Sequence, residues 1–223
     1  AFVKHHLLHD YLERLLMIIG MSGAGRGIDE ICYVDCFAGP WGDESEELQT
    51  TSIAISLKIM EKCAEGLRAM GRAPKFRALY VERHPAAFER LQTYLNGRSP
   101  AHIETRALMG SFEDLRPQIL KWCGSRAFTF FFIDPKGWKP ARLSVLKPLL
   151  RRPRSEFLIN FMYDFVNRTV PQTQFESEIG DLLGNIQELE SLKSLSPISR
   201  EKHIVRAYRK NLKMNMDSRM PRS

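Results

Sequence analysis

Residues 128–133, FTFFFI, followed by DPKG at 134–137, decide the fold class of this chain. All but Thr129 are apolar, so a strand formed by this run would be buried on both faces. Continuous apolar strands are typical of the centre of a parallel sheet that helices cover on both sides. The Asp-Pro-Lys-Gly sequence then favours a turn that ends the strand.

Strand-like and helix-like segments alternate on either side of this run. The alternation predicts an α/β fold with a doubly wound, mostly parallel, Rossmann-like sheet. No strand pattern follows residue 161, so we expect the last strands of a complete doubly wound domain to be lacking. The predicted strands are 31–37, 76–81, 102–107, 128–133 and 156–161, and the predicted helices between them are 51–70, 85–95, 112–122 and 143–150.

Three regions are expected along the chain. Residues 1–30 would hold an amphipathic helix over 4–19 and a glycine-rich connector, GMSGAGRG, over 20–27. Residues 31–168 would form the Rossmann-like core. Residues 169–223 would form a C-terminal segment with helices near 175–195 and 199–212, ending in an unstructured tail that begins at residue 214.

Composition and charge exclude several classes of protein. The chain has 223 residues with 33 Lys and Arg against 26 Asp and Glu, a net charge of +7 that favours anionic partners such as nucleic acid. No apolar run approaches the roughly 20 residues of a membrane span, and no signal-peptide pattern opens the sequence. Four scattered cysteines without a CxxC pair indicate reduced thiols in a cytoplasmic protein. His5 and His9 have the i, i+4 spacing of two metal ligands, but no clear third ligand is visible, so we expect a solvated helix face and no metal site.

Ligands of open parallel sheets bind at the carboxyl ends of the strands, where the strand order reverses. Three acids stand at such ends: Asp35, Glu82 and Asp134. Gly39 would let a ligand approach the backbone after the first strand. Asp35 could orient that loop or accept a hydrogen bond from a ligand amine, and Glu82 stands where an acid binds ribose hydroxyls.

Aromatic side chains near the same strand ends could stack on a base. Phe112 follows the third strand, and Trp138 follows the fourth. Any one of the three acids could instead cap the next helix. Their joint occurrence with the glycine turn favours a nucleoside-binding cleft. An NAD site is disfavoured, because the GxGxxG spacing is absent and 47 residues separate Asp35 from Glu82 (82 minus 35).

Two of these strand-end segments resemble a known family. Residues 33–40, YVDCFAGP, and 130–137, FFFIDPKG, resemble the two core signatures of the three-Cys-motif partner protein family (TcmP). Residues 4–12 and 207–212 are similar to weaker segments of that family. The resemblance covers roughly residues 4–212.

The resemblance implies a Rossmann-like methyltransferase fold with an S-adenosylmethionine (SAM) cleft and a protein partner that carries a three-cysteine motif. The tip of the fourth strand also resembles the motif with which amino-methyltransferases bind the target amine. The methyltransferase resemblance implies cofactor contacts at Asp35, Phe37, Gly39, Glu82, Ser111 and Phe112. The resemblance of the strand tip implies catalytic roles for Asp134 and Pro135 and substrate contacts at Lys136 and Trp138.

The sequence departs from methyltransferase patterns at three places. Trp41 is bulky for a SAM loop, Ser111 stands where many methyltransferases have Asp, and Lys136 replaces a second proline. A lysine there would suit a phosphate better than an amine. Basic residues between 139 and 154 could track a phosphate backbone, or could simply form a solvated helix face.

Three functions remain open from the sequence. The first is a SAM-dependent methyltransferase that acts on a nucleic acid or nucleotide. The second is a methyltransferase-like binding subunit that has lost catalysis and serves a protein partner. The third is a nucleotide-processing enzyme on the same fold, for which ATP or NAD would bind in preference to SAM.

Overall fold

A computed structural model of the protein describes residues 2–22, 25, 28–39, 51–184 and 186–217. Residues 40–50, which include Trp41 of the expected SAM loop, lie outside the described residues, as do parts of the 20–27 connector and the tail from residue 218. The chain divides into two compact units: Ala1–Ile133 with Arg154–Leu158, and Asp134–Pro153 with Ile159–Ser223. This division has no boundary at residue 30, since residues 1–30 belong to the first unit. It also has no boundary at residue 168, since residues 134–153 group with the C-terminal helices.

The described residues form one five-stranded parallel sheet, which confirms the predicted fold class. The strand order is β3-β2-β1-β4-β5. The chain therefore runs from the centre to one edge and then crosses to the other side of β1, and the order reverses between β1 and β4. The strands are β1 (Glu30–Asp35), β2 (Lys75–Glu82), β3 (Ile103–Met109), β4 (Phe128–Ile133) and β5 (Ser155–Ile159).

Four helices complete the first unit. Strand residues alternate between the two faces of the sheet. Tyr33, Tyr80 and Phe130 belong to the core cluster that also contains buried side chains of the first three helices. The opposite face receives the fourth helix, where the Trp122 ring lies 4.0 Å from the Arg77 guanidinium carbon. The helices are α1 (Phe2–Ser22), α2 (Ser52–Ala69), α3 (Pro85–Arg98) and α4 (Phe112–Cys123).

The strength of each strand pattern in the sequence follows its place in the sheet. β4 is buried along its whole length and coincides with the predicted run 128–133. Among the described strands β3 pairs with β2 alone, and only its Ile103 and Leu108 are buried, because it is an edge strand. Its sequence pattern was therefore the weaker of the two, and the strand runs two residues beyond the predicted end at 107.

All four cysteines, Cys32, Cys36, Cys63 and Cys123, are buried as reduced thiols and form no disulfide bond with the described residues. Burial raises the pKa of Cys63 to about 11. Burial, followed by the nearby Asp35 carboxylate, raises the pKa of Cys36. Both thiols therefore stay protonated at neutral pH and act as core side chains.

The second unit is helical and has its own apolar core. Trp138, Leu182, Ile204 and Tyr208 are among its buried members. No helix in the described part of the chain is long and apolar enough to cross a membrane. The helices are α5 (Leu143–Leu150), α6 (Tyr163–Thr169), α7 (Glu176–Leu183), α8 (Ile186–Lys193) and α9 (Pro197–Asp217), with 3₁₀ turns at Lys139–Ala141 and Thr173–Phe175.

The helix predictions need correction in this unit. The predicted helix 175–195 is two helices, because Gly184 ends α7 with a positive φ of 94°. α9 extends the predicted helix 199–212 at both ends and includes residues that were assigned to the unstructured tail. α6 was not predicted as a helix, since it has only 7 residues.

Gly20 was predicted to begin a loop, but it lies inside α1. A Cβ at Gly20 would overlap the side chain of Leu67 in α2, so the missing side chain allows the two helices to approach closely. Gly97 was likewise predicted to end α3 and instead lies within it, with open space around its Cα. The two positions therefore differ: Gly20 leaves room for the neighbouring helix, whereas a side chain at Gly97 would meet no other atom.

We expect Gly20→Ala to destabilise the protein by about 1–3 kcal/mol, because the new methyl group overpacks against the buried Leu67 side chain. Gly97→Ala is the matched control, since it adds the same methyl group to a helix in open space. It should raise the free energy of unfolding by up to about 1 kcal/mol. Urea unfolding of both variants measures the difference. Equal stability of the two variants would contradict the close approach of α1 and α2 at Gly20.

Candidate functional site

The segment after β1 continues to pair with both neighbouring strands of the first unit. The Cys36 N–H donates to the Phe132 carbonyl at 3.0 Å, and the Ala38 N–H donates to the Val81 carbonyl at 2.9 Å. These bonds fix the start of the first loop between the ends of β2 and β4. This position is the carboxyl edge at which the strand order reverses.

Asp35 ties this loop to the start of α2. Its side chain is 0% exposed. Oδ1 accepts a hydrogen bond from the Phe37 N–H at 3.1 Å, and Oδ2 accepts one from the Ser52 hydroxyl at 2.6 Å. Both carboxylate oxygens are therefore occupied by the chain itself. Of the two roles left open by the sequence, this geometry supports the orientation of the loop.

Glu82 lies at the end of β2 and is 3% exposed. Its Oε1 accepts a hydrogen bond from the His84 N–H at 2.7 Å. Oε2 accepts no hydrogen bond from the residues that the structure describes. A carboxylate removed from water and held by one N–H is costly without further donors. The two hydroxyls of a ribose are donors of the required kind, so Glu82 fits the expected ribose-binding role.

The turn between β3 and α4 lies beside Glu82. The Gly110 N–H donates to the Glu82 carbonyl at 3.0 Å. Gly110 has a φ of 145°, which side chains rarely adopt, so glycine is required there. Ser111 then caps α4: its Oγ accepts from the Asp114 N–H at 3.2 Å and donates to the Asp114 carboxylate at 2.7 Å.

Two aromatic rings join the first loop to the start of α4. The rings of Phe37 and Phe112 lie 5.2 Å apart between centroids and are tilted by 55°. Phe112 is buried, whereas Phe37 and Gly39 are partly exposed. The structure therefore brings together the predicted cofactor residues of the first unit: Asp35, Phe37, Gly39, Glu82, Ser111 and Phe112. We call this group the β1–β3 edge.

The tip of the fourth strand, residues 134–138, belongs to the second unit. Asn160, the first residue after β5, donates from Nδ2 to Asp134 Oδ1 at 2.7 Å. This contact fixes the direction of the Asp134 carboxylate. Asn160 was placed at a strand end by the sequence but received no role. The amide gives no motif signal, and only the neighbouring positions of β4 and β5 in the sheet bring the two residues together.

The other residues of this tip have different environments. Pro135 is buried, whereas Lys136 is exposed. Gly137 has a φ of 99°, and its N–H points to the Met162 sulfur at 3.2 Å. Trp138 is 7% exposed and packs edge to face on Phe175 at 6.2 Å between centroids. The core of the second unit therefore accounts for Trp138 without a stacking base.

The basic residues of 139–154 do not form one free surface. Lys139 pairs with the Glu178 carboxylate at 3.1 Å, and this hydrogen bond lowers the pKa of Glu178. Arg152 is 6% exposed and donates to the Pro153 carbonyl at 2.9 Å. Arg154 donates to the Arg126 carbonyl at 2.9 Å within the first unit. Lys139 and Arg152 are therefore engaged within the chain, whereas Lys147, Arg151 and Arg154 are exposed, so the basic residues of this segment do not share one environment.

Comparisons with protein-family models, with curated proteins and with solved structures find no match for this chain. The β1–β3 edge and the 134–138 tip therefore supply the chemistry from which a function can be inferred.

The two hydrogen bonds of Asp35 predict a graded loss of stability. Asp35→Asn leaves one neutral carbonyl oxygen in place of the two carboxylate oxygens, so the Phe37 N–H and the Ser52 hydroxyl can no longer both donate to a charged acceptor, and we expect a loss of about 1–3 kcal/mol. Ser52→Ala removes a single bond at the other end and should cost about 0.5–1.5 kcal/mol. Urea unfolding measures both. A fully stable Asp35→Asn variant would show that the carboxylate does not hold the loop.

Proposed function

We propose that this protein is a SAM-dependent methyltransferase that acts on a nucleic acid or nucleotide. One observation carries the proposal: Glu82, the Phe37 loop and the Ser111-Phe112 turn meet at the carboxyl edge next to the strand-order reversal. This edge is where parallel sheets bind nucleosides. The resemblance to the TcmP signatures at residues 33–40 and 130–137 points to the same ligand class.

The residues of the edge fit the parts of SAM. The Glu82 carboxylate would accept hydrogen bonds from the ribose hydroxyls. Phe37 and Gly39 would lie against the methionine moiety, and the Ser111-Phe112 turn would meet the adenine. When bound, SAM supplies an electrophilic methyl group on a sulfonium. The role left to the chain is to hold the acceptor in line and to exclude water, so no strong general base is required.

Asp134 would orient the acceptor. Its carboxylate can accept a hydrogen bond from the N–H of a base amine and so aim the nitrogen lone pair. Asn160 supports this role, because its amide donates to Asp134 Oδ1 and so fixes the direction of the carboxylate. The exposed ammonium of Lys136 would suit a phosphate of the same substrate. This combination of groups favours a nucleotide or nucleic acid over a small amine.

A second candidate is a methyltransferase-like binding subunit without catalysis. The observation in its favour is Lys136, which places a cation in the motif that amino-methyltransferases use for a neutral amine. The buried Trp138 also leaves that motif without an exposed aromatic for a base. Such a subunit would serve the protein partner with a three-cysteine motif that the TcmP resemblance implies.

Isothermal titration calorimetry with SAM and with S-adenosylhomocysteine tests the proposal. We expect both to bind the wild-type protein, and Glu82→Gln to weaken binding by about 10- to 100-fold through the loss of a charged acceptor. Glu89→Gln is the matched control, since Glu89 is exposed on α3 and should leave the affinity unchanged. Failure of both ligands to bind would refute the proposal, and preferential binding of ATP or NAD would favour a nucleotide-processing enzyme.

The same titration separates the two candidates when it is combined with Asp134→Ala. This variant should bind SAM as the wild type does and lose methyl transfer to nucleic acid from radiolabelled SAM. Transfer that is unchanged in Asp134→Ala would remove Asp134 from catalysis. SAM binding without transfer by the wild type to any nucleic acid tested would favour the binding subunit.

A further inference from the structure

We propose that one face of α9 binds the phosphate backbone of a nucleic acid. We call this face the α9 basic stripe. The stripe would hold the substrate of the proposed methyltransferase. Its role as a substrate surface rests on that proposed function, whereas its binding to nucleic acid does not. The stripe consists of Lys202, Arg206, Arg209, Lys210 and Lys213.

The spacing of these five residues places them on one side of the helix. They follow one another at intervals of four, three, one and three residues, which matches a helical period of 3.6. All five side chains are exposed. From Lys202 to Lys213 the stripe extends about 16 Å along the helix axis. A nucleic-acid duplex carries about ten phosphate charges over that length, so the charges are complementary.

The cations of the stripe differ from other cations of the unit in their ion pairing. None of the five forms an ion pair with a residue in the described ranges, although α9 contains Glu201 and Asp217. Elsewhere in the same unit the lysines of two other segments are neutralised: Lys139 pairs with Glu178, and Lys193 pairs with Glu176. Within the described part of the chain, the stripe therefore concentrates positive charge that no carboxylate neutralises.

The opposite face of α9 is fixed in the core of the second unit. Ile204, Ala207 and Tyr208 are buried there. The Tyr208 ring stacks on Phe161 at 4.2 Å between centroids, and its hydroxyl donates to the Ala141 carbonyl at 2.8 Å. The core contacts thus fix the backbone of the helix that carries the cations. This fixed backbone reduces the entropy lost when the helix binds a regular polyanion.

The same burial argues against an anionic membrane as the partner. An interfacial helix needs an apolar face that enters the lipid, whereas the apolar face of α9 is occupied by the core. Its two large exposed apolar residues, Ile198 (86% exposed) and Met214 (58%), lie near opposite ends of the helix. They do not form a face that could insert.

Fluorescence anisotropy with a labelled 20-base-pair DNA duplex, without SAM, tests the proposal over a series of salt concentrations. We expect the quadruple variant Lys202→Gln, Arg206→Gln, Lys210→Gln and Lys213→Gln to bind at least about tenfold more weakly than the wild type at low salt. The slope of log K against log salt should become shallower by about 3.6, which is 0.9 for each of four lost phosphate contacts. Glutamine keeps the helix propensity close to that of lysine and arginine.

A matched control removes four charges from other exposed helix positions of the chain. The variant Lys58→Gln, Arg90→Gln, Arg98→Gln and Lys121→Gln has the same net charge as the stripe variant and carries its changes on α2, α3 and α4. We expect it to keep the wild-type slope to within about one unit. Circular dichroism of both variants checks that each is folded, and a variant that loses helix is replaced by its single substitutions.

Several outcomes would overturn the proposal. They are absence of duplex binding by the wild type, equal weakening in the two quadruple variants, and stripe-dependent binding to phosphatidylserine vesicles in place of nucleic acid. An RNA duplex of the same length forms a parallel arm, and tighter binding to either duplex supports the proposal and identifies the source of the backbone. Because SAM is absent, stripe-dependent binding without SAM binding would leave this inference intact while the methyltransferase proposal fails.

Discussion

The buried Asp35 carboxylate links three elements of the first unit through two hydrogen bonds. One goes to the Phe37 N–H in the loop after β1, and the other goes to the Ser52 hydroxyl at the start of α2. The loop that follows the central strand is therefore held against the next helix, with the Ala38 N–H bonded to the end of β2. This constraint sets the position of Phe37 beside Phe112, and with it the shape of the β1–β3 edge.

Sequence patterns predict the parts of this structure that burial or turn chemistry dictates. β4 has a continuous apolar sequence because both of its faces are buried, and its predicted bounds coincide with the structure. Glu82 could be assigned to the end of β2 because the buried residues before it also have an apolar sequence. Gly20 could not be interpreted correctly from the sequence, because a helix-packing glycine and a loop glycine look alike until the neighbouring Leu67 is known.

The residues that the sequence missed share one property: their roles depend on a partner distant in the chain. Asn160 acquires a role only because β5 lies next to β4, which brings its amide to Asp134, 26 residues earlier. The α9 basic stripe could have been found from its spacing alone. What the sequence could not supply is that Lys139 and Arg152 already have acceptors, whereas the stripe has none among the described residues. The stripe is thus a second candidate location, besides the 139–154 segment first considered, for the positive surplus behind the net charge of +7.

We propose that the β1–β3 edge binds the nucleoside part of SAM. Titration of the ¹⁵N-labelled protein with S-adenosylhomocysteine, followed by two-dimensional NMR of the backbone amides, is the sharpest test of this binding. We expect saturable shifts at the amides of Phe37, Gly39, His84, Ser111 and Phe112, because these residues form the first loop or lie next to it and to Glu82. Absence of saturable shifts, or shifts confined to residues away from this edge, would contradict it.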